Sequence, residues 1–576
     1  MSPGRFGSMR TRLALAVAAS LLAAAGLSGF AFRFTNDTFE QLRSDFVYGS
    51  LALSPVDATQ AGYHKHGNVR LDQELNDFSA DGLERKRSFY RDMQARISSL
   101  EKTRLAPEDR ADADLMRDRT GLELLDLDVI QPYRHNPAMY VELIGNALFE
   151  PFTREYGPKT ERYRDIMARL KKIPRLLEEA RTNLADAPFV WNETARMEDT
   201  GNIDLIDHKL RETAPVELRQ AYDEAASTGI QALQGYDSWL RSDLSKHVSD
   251  WRLGKEKYAK KFQFVLAAGK TPDEVLSEAE AELRRVQGEM AKLAAPEPVR
   301  QYLDELAWQH PAPPEFFSEA EKDLGQAIAF VRDKHLVAIP NTSNLRVIPT
   351  PEFMRGVYGV GGFSPAPALE PALRAEFWIT PLPANARDAE SKLREYNKFG
   401  LQHLVVHEAM PGHYLQFEYA DRVQPLSRRV LRSVYGNGPY VEGWAFYVQQ
   451  LLTEEGYMNG DPGFRMTFYK QCLRVITNAI LDIRLQTMGM TDQQAMDLIV
   501  NQAYQEKEEA KLKLLRAKLS SAQLPMYFVG WRGWVQLRAE VKAKEGGSFR
   551  LERFHERALA QSAVPMPVLG SLLGLQ

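Results

Sequence analysis

Apolar residues return every three or four positions along most of this chain, and no other feature restricts its fold as much. The clearest stretch is "TERYRDIMARLKKIPRLLEEARTNL", Thr160 to Leu184. This interval matches the 3.6-residue turn of an α-helix, so it lays one apolar stripe along one helix face. Segments beginning at Pro215, Lys255 and Thr271 carry the same interval. "TPDE" at Thr271 adds a start signal: an N-cap threonine, Pro272 at the first helical position and Glu274 as capping-box partner. "SEAE" at Ser318 and "TDQQ" at Thr491 repeat it. With no long alternating runs between them, these segments predict a mainly α architecture. No fixed-period repeat marks a solenoid.

One region departs from this pattern. Between residues 336 and 383 the chain turns rich in Pro, Gly and β-formers. "LVAIP", "LRVIPTP" and "AEFWITPLP" read as short strands, and "VYGVGGFSPAPAL" (Val357 to Leu369) as a flexible loop. Gly359, Gly361 and Gly362 are not a phosphate-binding fingerprint, because no strand–Gly–helix unit surrounds them. The layout is then a helical half over residues 33–335 and a second half over 336–576. The second half opens with the strand-and-loop insert and continues in helices over 391–576. "WQHPAPPEFF" (Trp308 to Phe317) offers a break near the end of the first half.

Composition narrows the function. In 576 residues the formal net charge is -4, which gives no basic footprint for nucleic acid. The one cysteine, Cys472, allows no internal disulfide and reads as a small buried apolar residue. A transition-metal site must therefore be built from His, Asp and Glu. At the start, Arg5, Arg10 and Arg12 precede the uncharged "LALAVAASLLAAAGLSGFAF", Leu13 to Phe32. Residues 1–32 thus read as a secretory signal, with small residues at Ala23 to Gly26 for cleavage, or as an uncleaved membrane anchor. A lipid anchor is not expected, since no Cys follows the apolar run. The body is expected to be exported and to face the periplasm.

"HLVVHEAMPGHYLQF", His403 to Phe417, nearly contains the zinc motif H-E-x-x-H. Pro411 stands where the second histidine belongs, and the histidine comes at 413. Residues four apart on a helix lie about 40° from alignment and residues six apart about 120° off, so a regular helix cannot aim His407 and His413 at one ion. Pro411 removes a backbone donor and Gly412 permits unusual backbone, so a break or bulge is predicted between Glu408 and His413. The rival pair, His403 with His407, has helical spacing but puts Glu408 after the second histidine. In H-E-x-x-H the Glu follows the first and points at the metal-bound water. A catalytic zinc takes a third ligand, often a carboxylate. Glu442 of "NGPYVEGWAFY" is the candidate, in the first turn of a helix among apolar residues, where an unpaired carboxylate is costly. The alternative is a Glu facing a helix dipole.

"HEAMPGHYLQ" and "EGWAFY" resemble the bacterial domain-of-unknown-function 885 family, whose signature is H-E-x-x-P-G-H-x-x-Q followed by E-G-W-A. "LALSPVDATQAGYHKH", "LNDFS", "AQLPMYFVGW", "FHERAL" and "VPMPVL" extend the likeness over most of the mature chain. The family resembles zinc metallopeptidases of the gluzincin type, which implies a large helical metallopeptidase-like fold. It also implies His407, His413 and Glu442 as zinc ligands and Glu408 as general base. The family's Arg and Tyr match Arg516 and Tyr527 here and imply that both reach the site, where one donates to the oxyanion. Gln523 and His555 lie nearby in sequence; His555 reads as structural. Asp482 is expected either to orient a ligand histidine or to pair with an arginine. "GVGGF" is expected over the cleft, and the strand Glu376 to Thr380 to align a peptide by β-addition. Trp531 and Trp534 read as core.

The leading expectation is an exported zinc metallopeptidase that cleaves oligopeptides by Glu-assisted attack of a zinc-bound water. The alternatives are a zinc amidohydrolase on cell-wall or N-acyl amides, and a non-catalytic binding protein retaining a structural metal.

Overall fold

The start signals at Thr271 and Thr491 form as read. Thr271 Oγ1 accepts from the Glu274 amide while the Glu274 carboxylate accepts from the Thr271 amide at 2.7 Å, opening the helix Pro272–Ala294. Thr491 and Gln494 make the same box. The computed structural model describes residues 38–575, apart from 101–104, 341–343, 351–354 and 356–360. The signal or anchor segment lies outside the described residues, as does Gly359. What is described is mainly helical.

The third start signal fails. Ser318 sits inside the helix Phe316–Asp333, and a turn at Pro313–Glu315 leads into it instead. Pro313 fixes the entry, and Ser318 Oγ donates back to the Glu315 carbonyl at 3.0 Å. Thr160 to Leu184 divides into two helices, Lys159–Leu170 and Ile173–Asn183, with Pro174 in the first turn of the second.

The insert holds three strands, β3 (Leu345–Pro349), β4 (Gly361–Ser364) and β5 (Ala375–Ile379), in the order β3-β5-β4; a separate hairpin, β1 (Lys65–His66) and β2 (Val69–Arg70), lies near the N-terminus. Two readings are corrected here. "LVAIP" is not a strand: Leu336 and Val337 are buried in the core, and the Leu336 carbonyl accepts from His555 rather than from a ladder. Part of the expected loop at 357–369 is β4, paired antiparallel with β5. Its two glycines have low strand propensity, but an added Cβ on Gly361 would stand 2.5 Å from the Trp378 carbonyl, so only glycine allows this pairing.

Buried residues fall into separate clusters. One is built from residues 56–244, and another joins Ala111, Leu115 and helices from residue 254 onward to the C-terminal helices. Phe377 and Ile379 of β5 share a third with Leu401 and Val405. The helix α1 (Ala138–Thr153) reaches this sheet, its Phe149 meeting Trp378 edge-on at 6.2 Å. The C-terminal part contains α2 (Lys398–Glu408), α3 (His413–Ala420), α4 (Gly438–Glu454), α5 (Pro462–Thr487), α6 (Lys507–Leu519) and α7 (Pro525–Glu545). Cys472 is buried in α5. Trp444, Trp531 and Trp534 are fully buried between α4 and α7, where truncating any of them to alanine costs about 3–5 kcal/mol.

Candidate metal centre

The helix α2 begins where Asn397 Oδ1 accepts from the amides of Phe399 and Gly400, at 3.0 and 3.1 Å. It stops at Glu408, as Pro411 and Gly412 predict. The chain then folds back so tightly that a Cβ on Gly412 would lie 1.9 Å from the His407 carbonyl oxygen. The new helix α3 starts at His413. The two imidazoles end 4.8 Å apart and nearly perpendicular.

The third group comes from α4, capped by Asn437, whose Oδ1 accepts from the Tyr440 amide. The helix begins at Gly438, so Glu442 stands in its second turn rather than its first. Glu442 Oε2 lies 3.7 Å from His407 Nε2 and 3.6 Å from His413 Nε2. Among the described residues this is the one cluster of three His, Cys, Asp or Glu with donor atoms that close, all within 4.8 Å. Tetrahedral zinc with nitrogen ligands at 2.0–2.1 Å separates its donors by about 3.4 Å, so the two contacts to Glu442 are within a few tenths of that spacing, and the whole set, spread over up to 4.8 Å, has to draw in further around an ion. Burial opposes ionisation of Glu442, yet the imidazoles of His407 and His413 beside it outweigh that and hold the carboxyl far below the usual range. The same contact keeps His413 more basic than usual despite its burial. A divalent cation suits this donor set: it takes over from protons the neutralising of the carboxylate.

Two residues after Glu442, Trp444 donates its indole N–H to the Pro411 carbonyl at 2.9 Å. Between them, Gly443 lets α4 meet α7: a Cβ there would lie 2.3 Å from the Gly530 backbone. Tyr527 precedes Gly530 by one turn, on the helix that meets α4 here. Its hydroxyl accepts from Arg516 of α6 at 3.3 Å, and the charges of Glu442 and Glu408 both act on it. Burial and Glu442 push the phenol up, so it stays protonated at neutral pH. Glu408 is half-buried and its charge also acts on His413.

Gln416, one turn after His413, is a residue that sequence reasoning left without a role. The Nδ1 of His413 and the Oε1 of Gln416 are both buried with no close partner elsewhere, and Gln416 favours the protonated imidazole. A ligand histidine normally gives its second ring nitrogen to such a partner. Gln416→Leu is expected to weaken zinc binding about 10- to 100-fold, read by competition with a chromophoric chelator. An unchanged affinity would remove the role. Gly443 and Trp444 were also passed over; a glycine in a helix interior was the available signal for the first.

Other candidates fall elsewhere. His403 stacks on Phe464 at 4.0 Å and bonds its carbonyl at 3.1 Å, so it does not join His407 at an ion. Burial brings His403 down to about 4, and it stays neutral. Asp482 neither orients a ligand histidine nor pairs with an arginine. It accepts from the amides of Ala522 and Leu524, fixing the turn before α7. His555 is structural, held between Tyr447 Oη at 2.8 Å and Leu336 O at 2.6 Å. Trp531 and Trp534 are core, donating to Gln450 and the Tyr440 carbonyl.

Strand β4 stands beside the centre. Phe363 lies 6.4 Å from the His413 ring and 5.6 Å from Phe417, and Gly361 abuts Leu404, one turn before His407. The β-addition expected at Glu376 to Thr380 is corrected: β5 is flanked by parallel β3 and antiparallel β4, so both its edges are taken. Strands β3 and β4 form the two edges of the sheet, and β4 is the edge beside the metal centre; no described strand pairs with its far side.

Comparison places these features among known proteins. Residues 55–573 match the family described as "Bacterial protein of unknown function (DUF885)". One solved structure, described as "a putative lipoprotein of unknown function from Shewanella oneidensis", is 29% identical, with a TM-score of 0.79 over 93% of this chain and 99% of that one. A second, "the putative lipoprotein from Colwellia psychrerythraea", shares the fold at 18% identity and a TM-score of 0.75, covering 93% and 98% of the two chains. No curated protein matches.

Proposed function

This chain belongs to the DUF885 family of bacterial proteins of unknown function, and on that footing we propose that it is a zinc-dependent peptidase acting on oligopeptides. The observation that carries the reading is the convergence of His407, His413 and Glu442, with Glu408 on the same helix end and Tyr527 one hydrogen bond from Arg516. Zinc held by His407 Nε2, His413 Nε2 and Glu442 would supply Lewis acidity at a carbonyl. Glu408 accepts the proton of the attacking water at its carboxylate and returns it to the leaving amine nitrogen. Tyr527 donates its hydroxyl proton in a hydrogen bond to the developing oxyanion, and Arg516 stabilises the phenol oxygen. The outer edge of β4 favours an extended peptide over a compact N-acyl amide. A site that only bound metal for stability would have no use for a base at position 408.

Export rests on the segment Leu13 to Phe32. The two solved structures are each described as a "putative lipoprotein"; here the single cysteine is buried in α5, so the apolar segment itself would act as signal or tether. Among the described residues no helix is long and apolar enough to cross a membrane.

The test is mass-spectrometric digestion of a diverse peptide library by the zinc-loaded chain. Glu408→Gln is expected to keep zinc and to lower kcat by about 10²- to 10⁴-fold. Hydrolysis at the unmutated rate would sink the reading. A library of amides run beside the peptides separates the amidohydrolase alternative.

A further inference from the structure

Strand β4 is four residues long and half glycine, so its own preference for extended structure is weak. The ladder to β5 holds one edge. The end of the strand and the segment that follows, residues 365–374, are tied down from outside the C-terminal helices. Arg154, just past the end of α1, donates from its guanidinium to Ser364 Oγ, to the Pro365 carbonyl at 2.8 Å and to the Arg374 carbonyl at 3.3 Å. Ser364 is the last residue of β4 and Arg374 immediately precedes β5, so one planar group clamps the exit of one strand and the entry of the next. Glu150 stands 3.5 Å behind this guanidinium.

A second tie lies further along. The Leu369 amide donates to the Ala61 carbonyl at 3.0 Å. His64 stacks on Tyr156 and bridges two carboxylates, Asp72 at 2.9 Å and Glu370 at 3.2 Å. Gly62 seats the loop: its φ of +78° suits glycine, and a Cβ there would press on Glu370 at 3.0 Å. Burial disfavours the imidazolium, but the two carboxylates raise His64 to about 9, so the bridge is charged at neutral pH.

We propose that Arg154 and His64 are positioning residues that set where β4 stands beside the metal centre, and so how an extended peptide is held for cleavage. Residues 38–335 thereby take part in substrate binding without touching the metal ligands. This rests on the peptidase reading above.

The test uses the full zinc-loaded chain with Arg154→Met, Arg154→Lys and Glu370→Gln. Glu370→Gln keeps the part-buried His64–Asp72 contact, so it carries the experiment if Arg154→Met does not fold. For a peptide long enough to lie along β4, Arg154→Met is expected to raise KM about tenfold with kcat little changed, as when binding shared by ground and transition states is lost. Arg154→Lys recovers part of this. A dipeptide too short to pair with the strand is cleaved as before, and zinc affinity does not move. Independently of hydrolysis, hydrogen exchange of the amides between 361 and 370 is expected to quicken by about tenfold or more. An equal loss on long and short substrates, an unchanged KM, or unchanged exchange overturns the proposal. Exchange that quickens in a protein whose hydrolysis ignores Glu408→Gln would instead count against the peptidase reading.

Discussion

Gly412→Ala is expected to abolish tight zinc binding while leaving the helical fold in place. The new Cβ would lie 1.9 Å from the His407 carbonyl oxygen and 2.4 Å from that of Val406, both backbone atoms in the last turn of α2. No rotamer change relieves such a contact, so Gly412 must move and His413, next in the chain, moves with it. The 3.6 Å separation of His413 Nε2 from Glu442 Oε2 then opens. Ligand geometry tolerates only about 0.2 Å, so an affinity loss of roughly 100-fold or more follows. Competition titration measures it, and an unchanged circular dichroism spectrum separates local from global damage. Gly288→Ala is the control: it lies in the helix Pro272–Ala294 with nothing within 4 Å of the added carbon. It should be neutral or stabilise by up to about 1 kcal/mol. Equal zinc affinity in Gly412→Ala and the unmutated chain would mean that the turn does not set the ligand spacing.

Gly530→Ala is expected to act on stability first. Its Cβ would fall 1.8 Å from the Pro439 carbonyl oxygen and 2.8 Å from the Gly443 Cα, where α4 and α7 touch backbone to backbone. The helices must part, and the buried indoles of Trp444 and Trp534, 5.0 Å apart at this contact, lose their packing. Overpacking commonly costs about 1–3 kcal/mol, and a backbone clash belongs at or above the upper end. A lower denaturant midpoint at constant slope is the readout. On the peptidase reading proposed above, surviving protein should also hydrolyse peptides more slowly, because parting the helices shifts Tyr527 relative to Glu442. A midpoint unchanged within error would show that the crossing can relax without loss.

Local signals carried much of this architecture, and the failures have a shared cause. Thr271 and Thr491 act on amides within one turn, so their capping boxes were readable from four residues. The interruption after Glu408 was readable because Pro411 and Gly412 carry backbone constraints wherever they stand. The pairing of Gly361–Ser364 with β5 was not, because its support comes from distant groups such as Arg154. Asp482 looked like a partner for a charged side chain, but the nearest donors are amides of a turn whose position depends on tertiary packing. Leu336 and Val337 have strand composition, and burial against the C-terminal helices accounts for them as well. Gln416, Gly443 and Trp444 gain their meaning from the meeting of α2, α3 and α4, which no single segment encodes.

The break after Glu408 changes what kind of quantity the distance between the two imidazoles is. On one continuous helix that bite is a constant of the α-turn, the same in any protein that carries the motif. Here His407 rides the end of one rod and His413 the start of another, so the bite becomes the angle of a joint. The Trp444 indole, bonded to the carbonyls of Pro411 and Gly412, is the pin of that joint. The affinity of this group for a metal would thereby be coupled to helix packing, and a core residue with no ligand atom would become part of what selects the ion.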